Sequence, residues 1–213
     1  MILGYWDIHG LALPIRFLLQ VAGAEYDEKL YQLDNVDEWF NEKKNMGLLF
    51  PNLPYLIDGE NKLTEHMAIM RYIGRKYKLA PENDREAMLV DQVESFVVDL
   101  RTRLSRACYD TVNYEKSKKE YLDFVSDKLD GLEKLFGHHT YVVGKRMTYM
   151  DIYLQYFLLF LNTFDDQILK SKPNLMKFLN HMNELPAIKA YKSSSKWKAS
   201  TFCGPMASFK GTY

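Results

Sequence analysis

Residues 50–77 read FPNLPYLIDGENKLTEHMAIMRYIGRKY, and three successive signals in this stretch decide the architecture around it. Asp58-Gly59 lies between two short apolar runs, the residue pair that favours a tight β-hairpin. Pro54 cannot donate to a strand ladder, so it belongs at a strand end or in a special turn. Past Thr64, the positions Met67, Met70 or Arg71, and Ile73 or Gly74 recur at helical steps and predict a helix over 65–77. A cis Leu53–Pro54 bond would turn the Asn52-Leu53 backbone outward and leave an amide and a carbonyl for an extended peptide to pair with. The helix start near Glu65-His66 presents unpaired N–H groups at a positive dipole end, which suits a carboxylate. One face then offers strand-like pairing and an anion site, as a small peptide acid requires.

Upstream, MILGYW (1–6) reads as a strand and ALPIRFLLQVAG (12–23) as a helix ending at Gly23. EYDEKLYQL (25–33) alternates as a second strand, and VDEWFNEKKN (36–45) is a short helix. Strand, helix, strand, helix, hairpin, helix implies a mixed sheet with helices packed on it. Downstream the period changes. Leu89, Val93, Phe96, Leu100, Leu104 and Cys108 recur every three or four residues, which marks one long amphipathic helix. YLDFVSDKLDGLEKLF (121–136) repeats that period, and TYMDIYLQYFLLFL (148–161) is apolar almost all round, as a buried central helix is. PNLMKFLNHMNELP and AIKAYKSSS supply two shorter helices. The expected boundary is a linker at 78–84, between a first domain at 1–77 and an all-helical second domain at 85–213.

The 28 basic and 28 acidic residues of this 213-residue chain balance. A neutral surface gives no general attraction to nucleic acid or anionic membranes. The longest apolar stretch, 152–161, is about half of what a bilayer span needs. Cys108 and Cys203 are the only cysteines, enough for a single bridge at most. A cytoplasmic, reducing setting is the default expectation. The chain carries no GxSxG elbow, no phosphate-binding GxxxxGK[ST] loop and no HExxH pair. His138 and His139 are adjacent and diverge on a helix, so they cannot share a metal. Thr148 and Asp151 have capping-box spacing, which assigns Asp151 to folding. ILGYW (2–6) places Tyr5 and Trp6 at a strand exit, and the residues alone leave Tyr5 either a core tyrosine or the reactive end of a site.

The segments ILGYWDIHGLALPIR, FNEKKNMGLLFPNLPYLIDG, KLTEHMAIMRYIGRKY and SFVVDLRTRLSRACYD resemble the cytosolic glutathione transferases of the mu class, almost end to end. The resemblance implies a thioredoxin-like α/β N-terminal domain, an all-helical C-terminal domain and a homodimer. It also implies conjugation of the glutathione thiol to hydrophobic electrophiles, a detoxification reaction in which glutathione is co-substrate and neither metal nor organic cofactor takes part. Tyr5 matches the tyrosine that hydrogen-bonds the glutathione sulfur, and the helix after Trp6 would add positive potential. Trp6, Leu11, Trp39 and Lys43 match residues at the glycine end, with Lys43 facing the carboxylate. Asn52, Leu53 and Pro54 match the segment that pairs with the cysteinyl backbone. Glu65 and His66 stand at the γ-glutamyl end, and Asp99 matches an aspartate reaching across the dimer. Ile8, Leu11, Thr102 and Tyr109 match the electrophile pocket, with Tyr109 a proton donor in some reactions. Phe50 and Arg71 match interface positions.

Several positions depart from the family pattern. Glu65-His66 replaces Gln-Ser, and a protonating His66 predicts glutathione affinity that falls as pH rises through about 6.5. Val36-Asp37-Glu38 stands where an arginine is expected, His9 is read as solvent-facing, and the tail from Lys196 matches least. Two other functions compete: a non-catalytic carrier of apolar ligands, and a glutathione-dependent isomerase of a lipid such as a prostaglandin.

Overall fold

The computed structural model describes residues 1–194, 197 and 200–211. Ser195 of the predicted last helix, and Lys196, Lys198, Ala199, Thr212 and Tyr213 of the tail, lie outside the described residues. The order is β1 (Ile2–Trp6), α1 (Ala12–Val21), β2 (Asp27–Tyr31), α2 (Val36–Glu42), β3 (Tyr55–Asp58), β4 (Asn61–Thr64) and α3 (His66–Lys76). It continues with α4 (Asp84–Tyr109), α5 (Tyr114–Phe136), α6 (Tyr149–Phe164), α7 (Pro173–Asn183) and α8 (Pro186–Lys192).

The strands form one sheet in the order β2-β1-β3-β4. β1 runs parallel to β2, with Tyr5 opposite Leu30, and antiparallel to β3, with Gly4 opposite Tyr55. The hairpin pairs Asp58 with Asn61, so Gly59 (φ +60°) and Glu60 form the two-residue turn read from Asp58-Gly59. The Leu53–Pro54 bond is cis, and β3 begins at the next residue.

α1 is buried along nearly its whole length because it packs on α3, α6 and α8, joining the sheet domain to the helical one. α6 is the central helix, and every residue from Tyr149 to Leu161 is buried. Its start is fixed by a capping box. Thr148 accepts from the Met150 amide, while the Asp151 carboxylate receives the Thr148 N–H and hydroxyl and the Val142 N–H. Gly74 lets α3 approach α6, since a Cβ there would lie 2.8 Å from the Tyr149 ring.

α5 starts at Tyr114, seven residues before its apolar pattern begins, because Tyr114–Glu120 is a polar turn of good helix formers facing solvent. α1 begins at Ala12, where the sequence reading starts it, and ends at Val21. No helix among the described residues is long and apolar enough to cross a membrane.

The tail is part of the fold. Phe202 N–H and Cys203 N–H donate to Gly211 O and Lys210 O, closing a loop on itself. Phe202 stacks on Phe160 of α6 at 4.7 Å. Thr201 O accepts from His9 N–H at 3.0 Å, so the tail reaches the loop after β1.

Candidate active site at the exit of β1

Tyr5 leaves β1 with its side chain 7% exposed. Its hydroxyl oxygen accepts the Leu11 N–H at 3.0 Å, one residue before α1. The hydroxyl proton goes to no described group. Burial raises the phenol above its usual value, against the opposing effects of the Leu11 amide and the Arg101 and Arg16 cations. The group therefore stays protonated at neutral pH and presents one unused donor.

The loop that aims Tyr5 is held by charge. Arg16 of α1 donates to Ile8 O at 2.8 Å in a buried setting and pairs with half-buried Glu28 of β2 at 3.0 Å. Gly10 (φ +40°) gives the phenol its room, since a Cβ there would stand 2.5 Å from the Tyr5 oxygen. His9 is buried, which corrects its expected solvent exposure. Its ring stacks on Trp197 at 4.7 Å and meets Phe202 edge-on. Burial, with Arg16 and Lys192 nearby, pushes its pKa down to about 3, so it is a neutral aromatic.

The glycine-end residues are tied through an aromatic chain that sequence reading missed. Trp6 meets Tyr31 edge-on at 6.3 Å, Tyr31 meets Trp39 at 5.3 Å, and Trp39 stacks on Tyr55 at 6.1 Å. Tyr31 donates to Glu42 at 2.7 Å, anchoring α2 to β2. Trp39 is itself buried, and its indole N–H donates to no described group. Lys43 follows α2 with its ammonium 4.5 Å above the Phe40 ring. Among the described residues no carboxylate pairs with it.

At the Asn52 to Pro54 turn, the Leu53 amide is not open as expected. It donates to the Asn52 side-chain oxygen at 2.9 Å, the nearest acceptor in the absence of a pairing strand. The Leu53 carbonyl accepts from no described donor. Glu65 (φ +67°) stands between β4 and α3, and Asn52 Nδ2 reaches its carboxylate at 3.5 Å. No described group accepts from the His66, Met67 and Ala68 amides, so the start of α3 leaves these donors open.

His66 overturns its expected pH response. Its ring turns toward α6, with Nε2 3.3 Å from the Tyr153 hydroxyl. Burial first, then Arg101 and Arg71, pushes its pKa down to about 3. A group whose native pKa is depressed this far stays neutral from pH 5.5 upward, so it cannot switch affinity near 6.5.

Of the expected pocket residues, Ile8 is buried, Thr102 of α4 is half-buried, and the Tyr109 oxygen at the end of α4 accepts Gly204 N–H at 2.7 Å. Burial raises the Tyr109 phenol, which keeps its proton at neutral pH. Arg101 was not singled out from sequence. It donates from Nε to the Tyr156 hydroxyl at 3.2 Å, pairs with no carboxylate among the described residues, and acts on Tyr5 electrostatically. The signal was available: Arg101 is four residues after Val97 and three before Leu104, a cation on a buried stripe.

Three predicted residues stand apart from Tyr5. Asp99 is exposed and pairs with Arg103 at 2.9 Å. Arg71 pairs with Glu94 of α4, whose other oxygen accepts from Tyr149 at 2.9 Å, a tie between the two domains. Phe50 is 64% exposed and makes no ring–ring contact among the described residues.

Residues 1–75 match the glutathione S-transferase N-terminal domain and residues 98–195 the C-terminal domain. A glutathione S-transferase of Tyrophagus putrescentiae is 43% identical over 100% of this chain and 97% of its own length. Glutathione S-transferase Mu 4 of Mus musculus is 42% identical over 92% of each. The crystal structure of glutathione S-transferase Blo t 8 superposes with a TM-score of 0.91 at 29% identity, covering 99% of this chain and 100% of that one. Matches to both glutathione S-transferase domain models and relatives up to 43% identical over the whole chain, on this two-domain fold, place the chain in the glutathione S-transferase family, enzymes that conjugate glutathione.

Proposed function

We propose that Tyr5 is the catalytic residue of this transferase and that it acts as a neutral hydrogen-bond donor to the glutathione sulfur. The observation that carries this is the one-sided bonding of its hydroxyl. Leu11 N–H occupies the acceptor side and the proton is unused. A donor aimed at sulfur favours the thiolate over the thiol, and the thiolate is the nucleophile. Arg101 adds a half-buried positive charge on the same side of the balance. The thiolate attacks the electrophilic carbon, the carbon–sulfur bond forms, and the leaving group departs with the electron pair.

The remainder of glutathione is assigned by charge and pairing. Lys43 takes the glycine carboxylate, beside Trp6, Leu11 and the Trp39 indole N–H. The cysteinyl backbone pairs at Asn52, Leu53 and Pro54, displacing the Asn52 side chain from the Leu53 amide. The open amides at the start of α3 receive the γ-glutamyl carboxylate, and Glu65 its ammonium, while His66 stays neutral and turned toward Tyr153. Asp99 reaches a second subunit's glutathione. Ile8, Leu11, Thr102 and Tyr109 line the electrophile pocket, where Tyr109 can return a proton. The assembly is a homodimer in which exposed Phe50, next to Leu49 at 82% exposure, inserts into the partner, with Arg71 at the same interface. The setting is cytoplasmic and the role detoxification.

The test is glutathione conjugation to chlorodinitrobenzene by wild type and Tyr5→Phe. Turnover that collapses in the variant at pH 6.5 and partly recovers at high pH supports the assignment. A folded wild type that binds a glutathione column without turnover points instead to a ligand carrier.

A further inference from the structure

Cys108 and Cys203, distant in sequence, are both buried, at 0% and 2% exposure. The backbone brackets them together. Cys108 O accepts from Ser208 N–H at 2.9 Å and from Phe209 N–H at 3.3 Å, and the next residue, Tyr109, accepts from Gly204 N–H at 2.7 Å. Bonds from Gly204, Ser208 and Phe209, all just after Cys203, therefore run to the end of α4, and Cys203 N–H donates to Lys210 O beside Phe209, so the fold brings the two buried thiols into one cluster in which each acts on the other's titration. We propose that Cys108 and Cys203 are a redox pair that closes into an intramolecular disulfide on reaction with a hydroperoxide, clipping the C-terminal tail to α4 beside Tyr109.

The two sulfurs have different roles. Cys108 lowers the Cys203 thiol against the effect of burial, and Arg101 lowers it further; Cys203, with burial, raises Cys108. Cys203 is the attacking sulfur. Its thiolate takes the terminal peroxide oxygen, the O–O bond breaks, and the alcohol leaves with the Cys203 proton. Sulfur gives up two electrons, the peroxide gains two, and Cys203 becomes a sulfenic acid. The Cys108 sulfur then attacks Cys203, the S–S bond forms, the S–O bond breaks, and hydroxide leaves as water with the Cys108 proton. Two thiols and one hydroperoxide give one disulfide, one alcohol and one water. With hydrogen peroxide the alcohol is a second water.

The clip acts on a segment already held at both ends of its path, at His9 through Thr201 and at α4 through Gly204 and Ser208. In the reduced protein these are hydrogen bonds and ring contacts. In the oxidised protein the tail cannot leave α4. Neither glutathione nor an electrophile enters this step, so it stands or falls separately from the assignment of Tyr5.

The experiment treats the full chain with hydrogen peroxide and reads intact mass and proteolytic fragments under non-reducing conditions. The expected result is loss of two hydrogens per chain and one fragment pair joining Cys108 to Cys203, reversed by dithiothreitol. Cys108→Ser is expected to stop at one added oxygen on Cys203, trapped by a sulfenic-acid reagent, while Cys203→Ser leaves Cys108 a thiol. Circular dichroism of both variants checks that they fold. Two or three oxygens on Cys203 with Cys108 still a thiol in the wild type, a disulfide between two chains, or no change in either thiol would each overturn the proposal.

Discussion

Two buried polar groups of this chain use their hydrogen bonds in opposite ways. At the start of α6, Asp151 is 0% exposed and receives the Val142 N–H, the Thr148 N–H and the Thr148 hydroxyl. At the exit of β1, Tyr5 is nearly as buried, yet its oxygen has one partner and its proton none. Burial raises both groups, Asp151 to about 6. The difference lies in what remains unpaired. A buried group with every partner present holds the fold together, whereas a buried donor without an acceptor is held ready for one that arrives with the substrate.

Removing Asp151 should have the largest effect. Asp151→Ala leaves the Val142 and Thr148 amides without acceptors in a dry setting and should cost about 3 kcal/mol in urea unfolding. A loss under about 0.5 kcal/mol would end the contrast with Tyr5. The sign of its pH dependence follows from the raised pKa. The part of its contribution that comes with protonation is complete below the usual 3.8 and is lost as pH rises through about 6, while the three hydrogen bonds to its oxygens remain. The stability gap between wild type and variant should therefore narrow across that window.

Tyr5→Phe comes next, with kcat/KM expected to fall about 100-fold near neutral pH while unfolding changes little. Gly10→Ala should lower turnover about tenfold, because a Cβ 2.5 Å from the Tyr5 oxygen must displace the donor. A fully active Gly10→Ala enzyme would show that the aim of the phenol is not critical. Lys43→Ala should raise the glutathione KM about fivefold and leave kcat unchanged, as expected for an outer charge that binds ground and transition states alike. The smallest effect concerns His66: the glutathione KM should be flat between pH 5.5 and 7.5, because the imidazole is neutral throughout. A steady rise of KM with pH would restore the protonated His66.

The element order was readable because periods of two and of three to four are local properties, and the Asp58-Gly59 turn and the Thr148–Asp151 box carry their signals within four residues. The tail was not readable. What orders Phe202 and Cys203 is contact with Phe160 and Cys108, which no local pattern in 196–213 records. His66 and His9 were misjudged for the same reason, since a side chain's desolvation depends on neighbours from other elements, here Tyr153 and Trp197. Arg101 could have been found, because a cation on the buried stripe of α4 needs an explanation. Tyr5 stood at a strand exit, but only the Leu11 amide reveals that its proton is the unused half of the hydroxyl.

The most direct test of that claim is the pKa of glutathione's thiol in the binary complex, followed by ultraviolet thiolate absorbance against pH for wild type and Tyr5→Phe. The account predicts a thiol in the wild-type complex titrating well below the ordinary value of about 8.5 and returning toward it in the variant. Equal pKa values in the two complexes, with glutathione bound to both, would contradict the role given to Tyr5.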